Sequence, residues 1–293
     1  MYGFFTESNY RGEFPYTDLA TERRRADTNL TGVDYSTKKG VIGNWERIKI
    51  TTKTGAESIG RPIGIYDTLN IGRMDMLDGE SIFDARDEIA RELCYLFDES
   101  DIFPERILVA GLGNPHLTPD SIGTESARCV KPTMHIREMN RLLFEGFNCA
   151  EIAVCTPGVA ATSGMDAAVT IRGICEEIGP DAVIVIDALA ARSKERLGTT
   201  VQICNTGISP GSGLGNPRQE ISFDTVGVPV IAIGVPTVMD SRMFYTSPHA
   251  DGRVKDAETC PSMFVAPKEI NEIVSAAALI IGGGINQAFG IYN

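Results

Sequence analysis

A mostly parallel α/β sheet, flanked by helices on both faces and extended by an N-terminal β-hairpin, is the fold this sequence predicts. Three observations carry that expectation. Short apolar runs recur at "RILVAGLG" (106–113), "EIAVCTPGV" (151–159), "DAVIVIDALA" (181–190) and "VPVIAIGVPTVMD" (228–240), as in strands buried on both faces. Segments with helical apolar spacing separate several of them. Apolar strands alternating with helices are the mark of a sheet wound by crossover connections.

Taken in order, residues 1–44 read as a polar tail and irregular lead-in, with apolar residues scattered singly. "WERIKIT" (45–51) and "RPIGIYDTLNI" (61–71) read as two strands around the turn-rich "KTGAESIG" (53–60), a hairpin. In "SIFDARDEIARELCYLFDE" (81–99), Ile82, Ala85, Ile89, Leu93 and Leu96 fall on one helical face. Residues 124–144 read as helix broken near Pro132. The next helix spans 163–179, with Ser163 as its cap and Gly179 as its stop. "TTVQICNTGI" (199–208) adds a strand, and 267–289 is a closing helix opened by Pro267.

The chain has 293 residues, 43% of them hydrophobic, which is enough for a substantial core. Its net charge of −12 argues against a surface built to grip nucleic acid or an anionic membrane, because neutralising phosphates requires a basic face. Seven cysteines, at 94, 129, 149, 155, 175, 204 and 260, make an odd number with no Cys-x-x-Cys. Reduced thiols packed as small hydrophobes, in the cytosol, are therefore expected. The first 15 residues contain Glu7, Arg11 and Glu13 and no apolar run, so no secretion signal is expected there. No stretch reaches the roughly 18–20 uninterrupted apolar residues of a membrane span.

Two glycine motifs fail on inspection. "GISPG" (207–211) has the spacing of a nucleophile elbow, but the residue after the serine is Pro210, which has no N–H for an oxyanion hole. "GSGLGN" (211–216) lacks the third glycine and the strand–helix setting of a dinucleotide site, and reads as a rim loop. His116 and Asp120 could ligate a metal, but the chain has only three histidines and no H-E-x-x-H; an exposed loop histidine is the simpler reading.

Two aspartates carry more weight. Asp120 lies in "GLGNPHLTPDSIG" (111–123), the loop after the first apolar strand, and Asp187 closes "VIVID" (183–187). Each alone could be a cap or a loop hydrogen-bonding group. A carboxylate at the end of five apolar residues is nonetheless costly to bury unless paired or protonated. Two such groups facing one crevice can share a proton, one acting as base on water and the other as acid on a leaving group. No Asp-Thr-Gly or Asp-Ser-Gly of the pepsin type occurs.

"GLGNPHLTPDSIG", "CTPGVAATSGMD", "VIVIDALAARS", "ISPGSGLGNPRQEIS", "GVPVIAIGVPTVMD" and "VAPKEINEIVSAAALIIGGGINQA", in that order, resemble the germination protease family of spore-forming bacteria. The resemblance runs from "YTDLATE" (16–22) to the C-terminus and is weakest over 23–105. It implies an atypical aspartic endopeptidase that degrades small acid-soluble spore proteins during germination. The implied fold is similar to that of hydrogenase maturation proteases, and the implied assembly is a homotetramer in the developing forespore or spore core. No cofactor, metal, membrane or direct nucleic-acid contact is implied. Carried over residue by residue, the catalytic pair is Asp120 and Asp187. Asn114, Arg192 and Ser193 are supporting candidates because they flank the pair in sequence. The resemblance further implies a zymogen that removes its own propeptide, residues 1–18, by cutting between Asp18 and Leu19 in "TDLATE", leaving 19–293 as a single peptidase domain. Asp18 could at the same time cap a helix. The stretch 241–266 is shorter than its counterpart in the family. Alternative readings are a metal-dependent maturation-type protease using Asp120, Asp187 and His116, or a catalytically silent binding protein of the same fold.

Overall fold

The computed structural model describes residues 17–24, 30–215, 218–244 and 263–291. Among the described residues nine strands form one sheet: β1 (Val33–Lys39), β2 (Asn44–Ile50), β3 (Gly64–Asn70), β4 (Arg106–Gly111), β5 (Glu151–Cys155), β6 (Ala182–Ala190), β7 (Thr200–Cys204), β8 (Val230–Asp240) and β9 (Phe264–Val265). The helices are α1 (Ala20–Arg23), α2 (Lys53–Ile59), α3 (Gly79–Glu99), α4 (Ile122–Cys129), α5 (Met134–Met139), α6 (Arg141–Phe147), α7 (Ala160–Ser163), α8 (Ala167–Ile178), α9 (Phe223–Val226) and α10 (Ile270–Ala288).

The strand order is β1-β2-β3-β7-β8-β6-β4-β5, with β9 paired to β8. The heart of the sheet is parallel: β8, β6, β4 and β5 all run the same way. An antiparallel half, β7-β3-β2-β1, extends it. Both faces are covered. Alternate residues of β6 divide between them: Ile184 and Ile186 join the core under α3 and α10, while Val183 and Val185 join the core under α8. This explains the unbroken apolar run in β6, since neither face meets water. The predicted face of α3 is the one that packs, with Ala85, Ile89, Leu93 and Leu96 fully buried.

Several boundaries differ from expectation. The segment 53–60 is not a turn: it forms α2, capped by Thr52, so β2 and β3 are joined through a helix. The lead-in holds a strand, β1, and the tight hairpin is β1–β2, closed by Gly40 N–H donating to the Gly43 carbonyl at 2.7 Å. Residues 124–144 split into three short helices. α8 starts later than predicted and is capped by Asp166, whose carboxylate accepts from Ala168 N–H, rather than by Ser163; Gly179 ends it as expected. Pro267 precedes α10, which begins at Ile270. The six cysteines among the described residues are free thiols, and Cys260 lies outside them. Among the described residues, no helix is long and apolar enough to cross a membrane.

The connections place the site. From β4 the chain reaches β5 on one side, then crosses to β6 on the other side of β4. The carboxyl ends of β4 and β6 therefore mark the point where the winding reverses, and a crevice opens there in sheets of this kind.

Candidate active site

Asp120 and Asp187 meet at that crevice. Gly111 of β4 pairs with Ile186 of β6, and Leu112 N–H donates to the Ile186 carbonyl at 2.8 Å. The chain then folds back through a short 3₁₀ turn at Thr118–Asp120. Gly113 makes the fold-back possible: its φ is +95°, and a Cβ there would stand 1.9 Å from the Asp120 carbonyl oxygen. Thr237 of β8 donates to the Pro119 carbonyl at 2.6 Å and pins the loop. Asp120 and Asp187 line one cavity of about 260 Å³, with Arg218 and Asp166 also on its wall.

The two carboxyls have unequal surroundings. Asp187 is buried, and its pKa is raised well above the usual carboxylate value, by loss of hydration first and by the neighbouring charge of Asp120 second. Asp120 is also raised by burial, but the Asn114 N–H, donating to its Oδ2 at 2.8 Å, and the charge of Arg218 pull it back. Such a pair holds one proton most readily on Asp187, leaving Asp120 as the carboxylate. Two carboxyls of unequal proton affinity facing one space are able to act as general acid and general base.

The third element of the site is the chain's own N-terminal segment. Thr17, Leu19 and Ala20 have no exposed surface, and Asp18 is 8% exposed. Asp18 N–H donates to the Ala190 carbonyl at 2.9 Å, beyond Asp187 on β6. The Asp18 carboxylate accepts from Ala190 N–H at 2.9 Å and from Ser212 Oγ at 2.6 Å. Leu19 packs on Leu189 and Ala191, with Leu197 and Ile208 around them. Ala20 N–H donates to Gln202 Oε1 at 2.8 Å. The Glu22 carboxylate accepts from the backbone N–H groups of Arg192 and Ser193, at 2.7 and 2.8 Å, and from the Thr17 hydroxyl. Burial, and Arg61 beside it, lower the Arg23 pKa to about 10; its guanidinium donates to the carbonyls of Thr17 and Gly60. Asp18 lines the cavity of the aspartate pair.

Of the sequence candidates, Asn114 stands at the pair through its backbone. Arg192 and Ser193 do not: their N–H groups hold Glu22 instead. Asp18 is not a helix cap, because α1 begins after Leu19 and its carboxylate is turned to Ala190 and Ser212. His116 is exposed and outside the cavity wall. Among the described residues, no three His, Cys, Asp or Glu side chains are grouped to hold a metal ion. "GISPG" is a turn, whose Ile208 bridges Ile221. The rim loop holds Ser212, which sequence reasoning missed, along with Arg61 and Gln202. Gln202 left a signal, a polar side chain in the apolar strand "TVQIC"; Arg61 left none.

A family profile for germination protease matches residues 16–250. A germination protease of Caldanaerobacter subterraneus subsp. tengcongensis is 34% identical over 307 residues, covering 93% of each chain. That of Clostridium acetobutylicum is 34% identical over 93% of this chain and 94% of its own. That of Bacillus subtilis is 40% identical over 77% of this chain and 63% of its own. Among solved structures, the hydrogenase maturation protease HycI of Thermococcus kodakarensis is 15% identical, with a TM-score of 0.35, covering 62% of this chain and 94% of that one.

Proposed function

The chain belongs to the germination protease family, endopeptidases of spore germination, and from that premise we propose that it is a self-activating aspartic endopeptidase acting through Asp120 and Asp187. The observation that carries the reading is the docked segment: Leu19 is held in extended backbone, and Asp18 lines the cavity shared by the buried Asp187 and the half-buried Asp120. A segment bound through its backbone and its Asp, Leu, Ala and Glu residues is bound as a substrate is. The cut falls between Asp18 and Leu19, releasing residues 1–18 as a propeptide and leaving 19–293 as the mature domain.

In this mechanism Asp120 takes a proton from a water held between the carboxyls, and the water oxygen attacks the Asp18 carbonyl carbon. Asp187 supplies the proton that the departing Leu19 nitrogen needs. The substrates are the small acid-soluble spore proteins, read by the same subsites at an acidic residue followed by a hydrophobic one. The location is the forespore or spore core, and the assembly is a homotetramer, both on the family resemblance.

Intact mass of the purified protein, followed at mildly acidic pH, tests the reading. Loss of residues 1–18 in the wild type, unaffected by chelator and absent in Asp120→Asn, is the expected result. Processing that a chelator blocks, or that survives in Asp120→Asn, would overturn it.

A further inference from the structure

We propose that Arg61 is a further catalytic residue, which with Gln202 holds the carbonyl oxygen of the Asp18–Leu19 bond and stabilises the negative charge that develops on it. This rests on the reading of that bond as the one cut. The Asp18 carbonyl oxygen accepts from Arg61 Nη2 at 2.6 Å and from Gln202 Nε2 at 3.2 Å. The same Nη2 lies 3.6 Å from the Asp18 carboxylate, whose close partners are Ser212 and Ala190. The guanidinium is thus aimed at the peptide group, while the acidic side chain is read by other residues. Gln202 cannot turn away freely, because its Oε1 is held by Ala20 N–H on the far side of the bond.

The layout suits attack from one side and charge stabilisation from the other. Asp18 borders two cavities, one holding Asp120 and Asp187 and a second lined by Arg61, Gln202, Arg23 and Ser212. Among the described residues Arg61 Nε is buried without a hydrogen-bond partner, and the shortest bond of the guanidinium is the one Nη2 gives to the Asp18 carbonyl oxygen, where an oxyanion would form. As the water oxygen bonds to the Asp18 carbonyl carbon, one water proton passes to the ionised carboxylate. The carbonyl electron pair moves onto the oxygen facing Arg61 and Gln202. Collapse re-forms the carbonyl and breaks the C–N bond, and the other carboxyl protonates the Leu19 nitrogen. The pair ends with the single proton it began with.

The test uses the full chain and separates chemistry from docking. The processing rate is read by intact mass, and docking by hydrogen exchange of residues 17–24 in an Asp187→Asn background. Removing one oxyanion donor lowers rates by about 10²–10³-fold. Arg61→Met is expected to slow processing by about that factor while protection falls less than about tenfold, and Arg61→Lys, which keeps a donor, to lie between. An Arg61→Met rate within a few-fold of wild type, or a rate and protection that fall in parallel in both variants, overturns the assignment while the wild type still processes. A wild type that never cuts at Asp18–Leu19 overturns the proposed function and this assignment with it.

Discussion

Replacing Leu19 by alanine should release the docked segment without unfolding the sheet. Leu19 is fully buried against Leu189 and Ala191, with Leu197 and Ile208 at the edge. Truncation removes three carbon groups, worth about 0.8 kcal/mol each in transfer alone, or about 2.4 kcal/mol. Fully buried Leu→Ala changes cost about 2.7–5.0 kcal/mol once the cavity is included. The small rim cluster can close in part, which places the effect near the lower end, about 2.7 kcal/mol. At about 1.4 kcal/mol per tenfold, the docked fraction falls relative to the undocked by about 100-fold. The assay is hydrogen exchange in the Asp187→Asn background, where the bond stays intact. The amides of Asp18 and Ala20, held by the Ala190 carbonyl and by Gln202, should exchange about 100-fold faster, with residues 183–186 unchanged. Unchanged protection at 18–20, or equal loss across β6, would refute the reasoning.

Two further predictions concern the pair and the rim. Asp187 has a raised folded pKa from burial, Asp120 and Asp18, opposed by the Ala188 N–H and Arg218, so the folded state binds the proton more tightly than the unfolded chain. The stability this gives is full below the unfolded value of about 3.9 and is lost as pH rises to the folded value, at about 1.4 kcal/mol per unit of separation. Asp187→Asn should therefore gain melting temperature over the wild type as pH rises from about 4 to 8, and a gap that closes over that range would contradict it. At Gly213, a Cβ would stand 2.4 Å from Asp18 Oδ2 and 2.8 Å from the Ala190 Cβ. Gly213→Ala should push Asp18 out and slow processing at least tenfold while the melting temperature stays within a few degrees; unaltered processing kinetics would count against the docked geometry.

The parallel half of the sheet was legible because its strands are buried on both faces and show it as unbroken apolar runs. β1 was not: in "VDYSTKK" only Val33 is even half-buried, so no pattern distinguishes an edge strand from a tail. α2 was missed because "KTGAESI" carries Thr, Gly and Ser, residues that favour turns, and is held as helix by its Thr52 cap and by burial of Gly55 and Ile59. Asp187 stood out as a carboxylate breaking an apolar strand, and Asp120 by its Gly/Pro-rich loop. Arg61, Gln202 and Ser212 reach Asp18 from positions 43, 184 and 194 residues away. Only the pairing of β3 with β7 and β7 with β8 brings the elements that carry them together, and no local spacing records that.

The anchors of the docked segment fall on both sides of the Asp18–Leu19 bond. Leu19, Ala20 and Glu22 carry the apolar contact, the Gln202 bond and the two N–H bonds from Arg192 and Ser193. All three belong to the side that a cut at Asp18–Leu19 leaves attached to the body of the protein. The newly made amino terminus would then stay in its own groove as a tethered product, at the millimolar effective concentration of a short leash. An incoming protein substrate would have to displace it. The pace of the mature protease would be set by how readily its own first residues leave, and severing the propeptide would be a separate event from vacating the site.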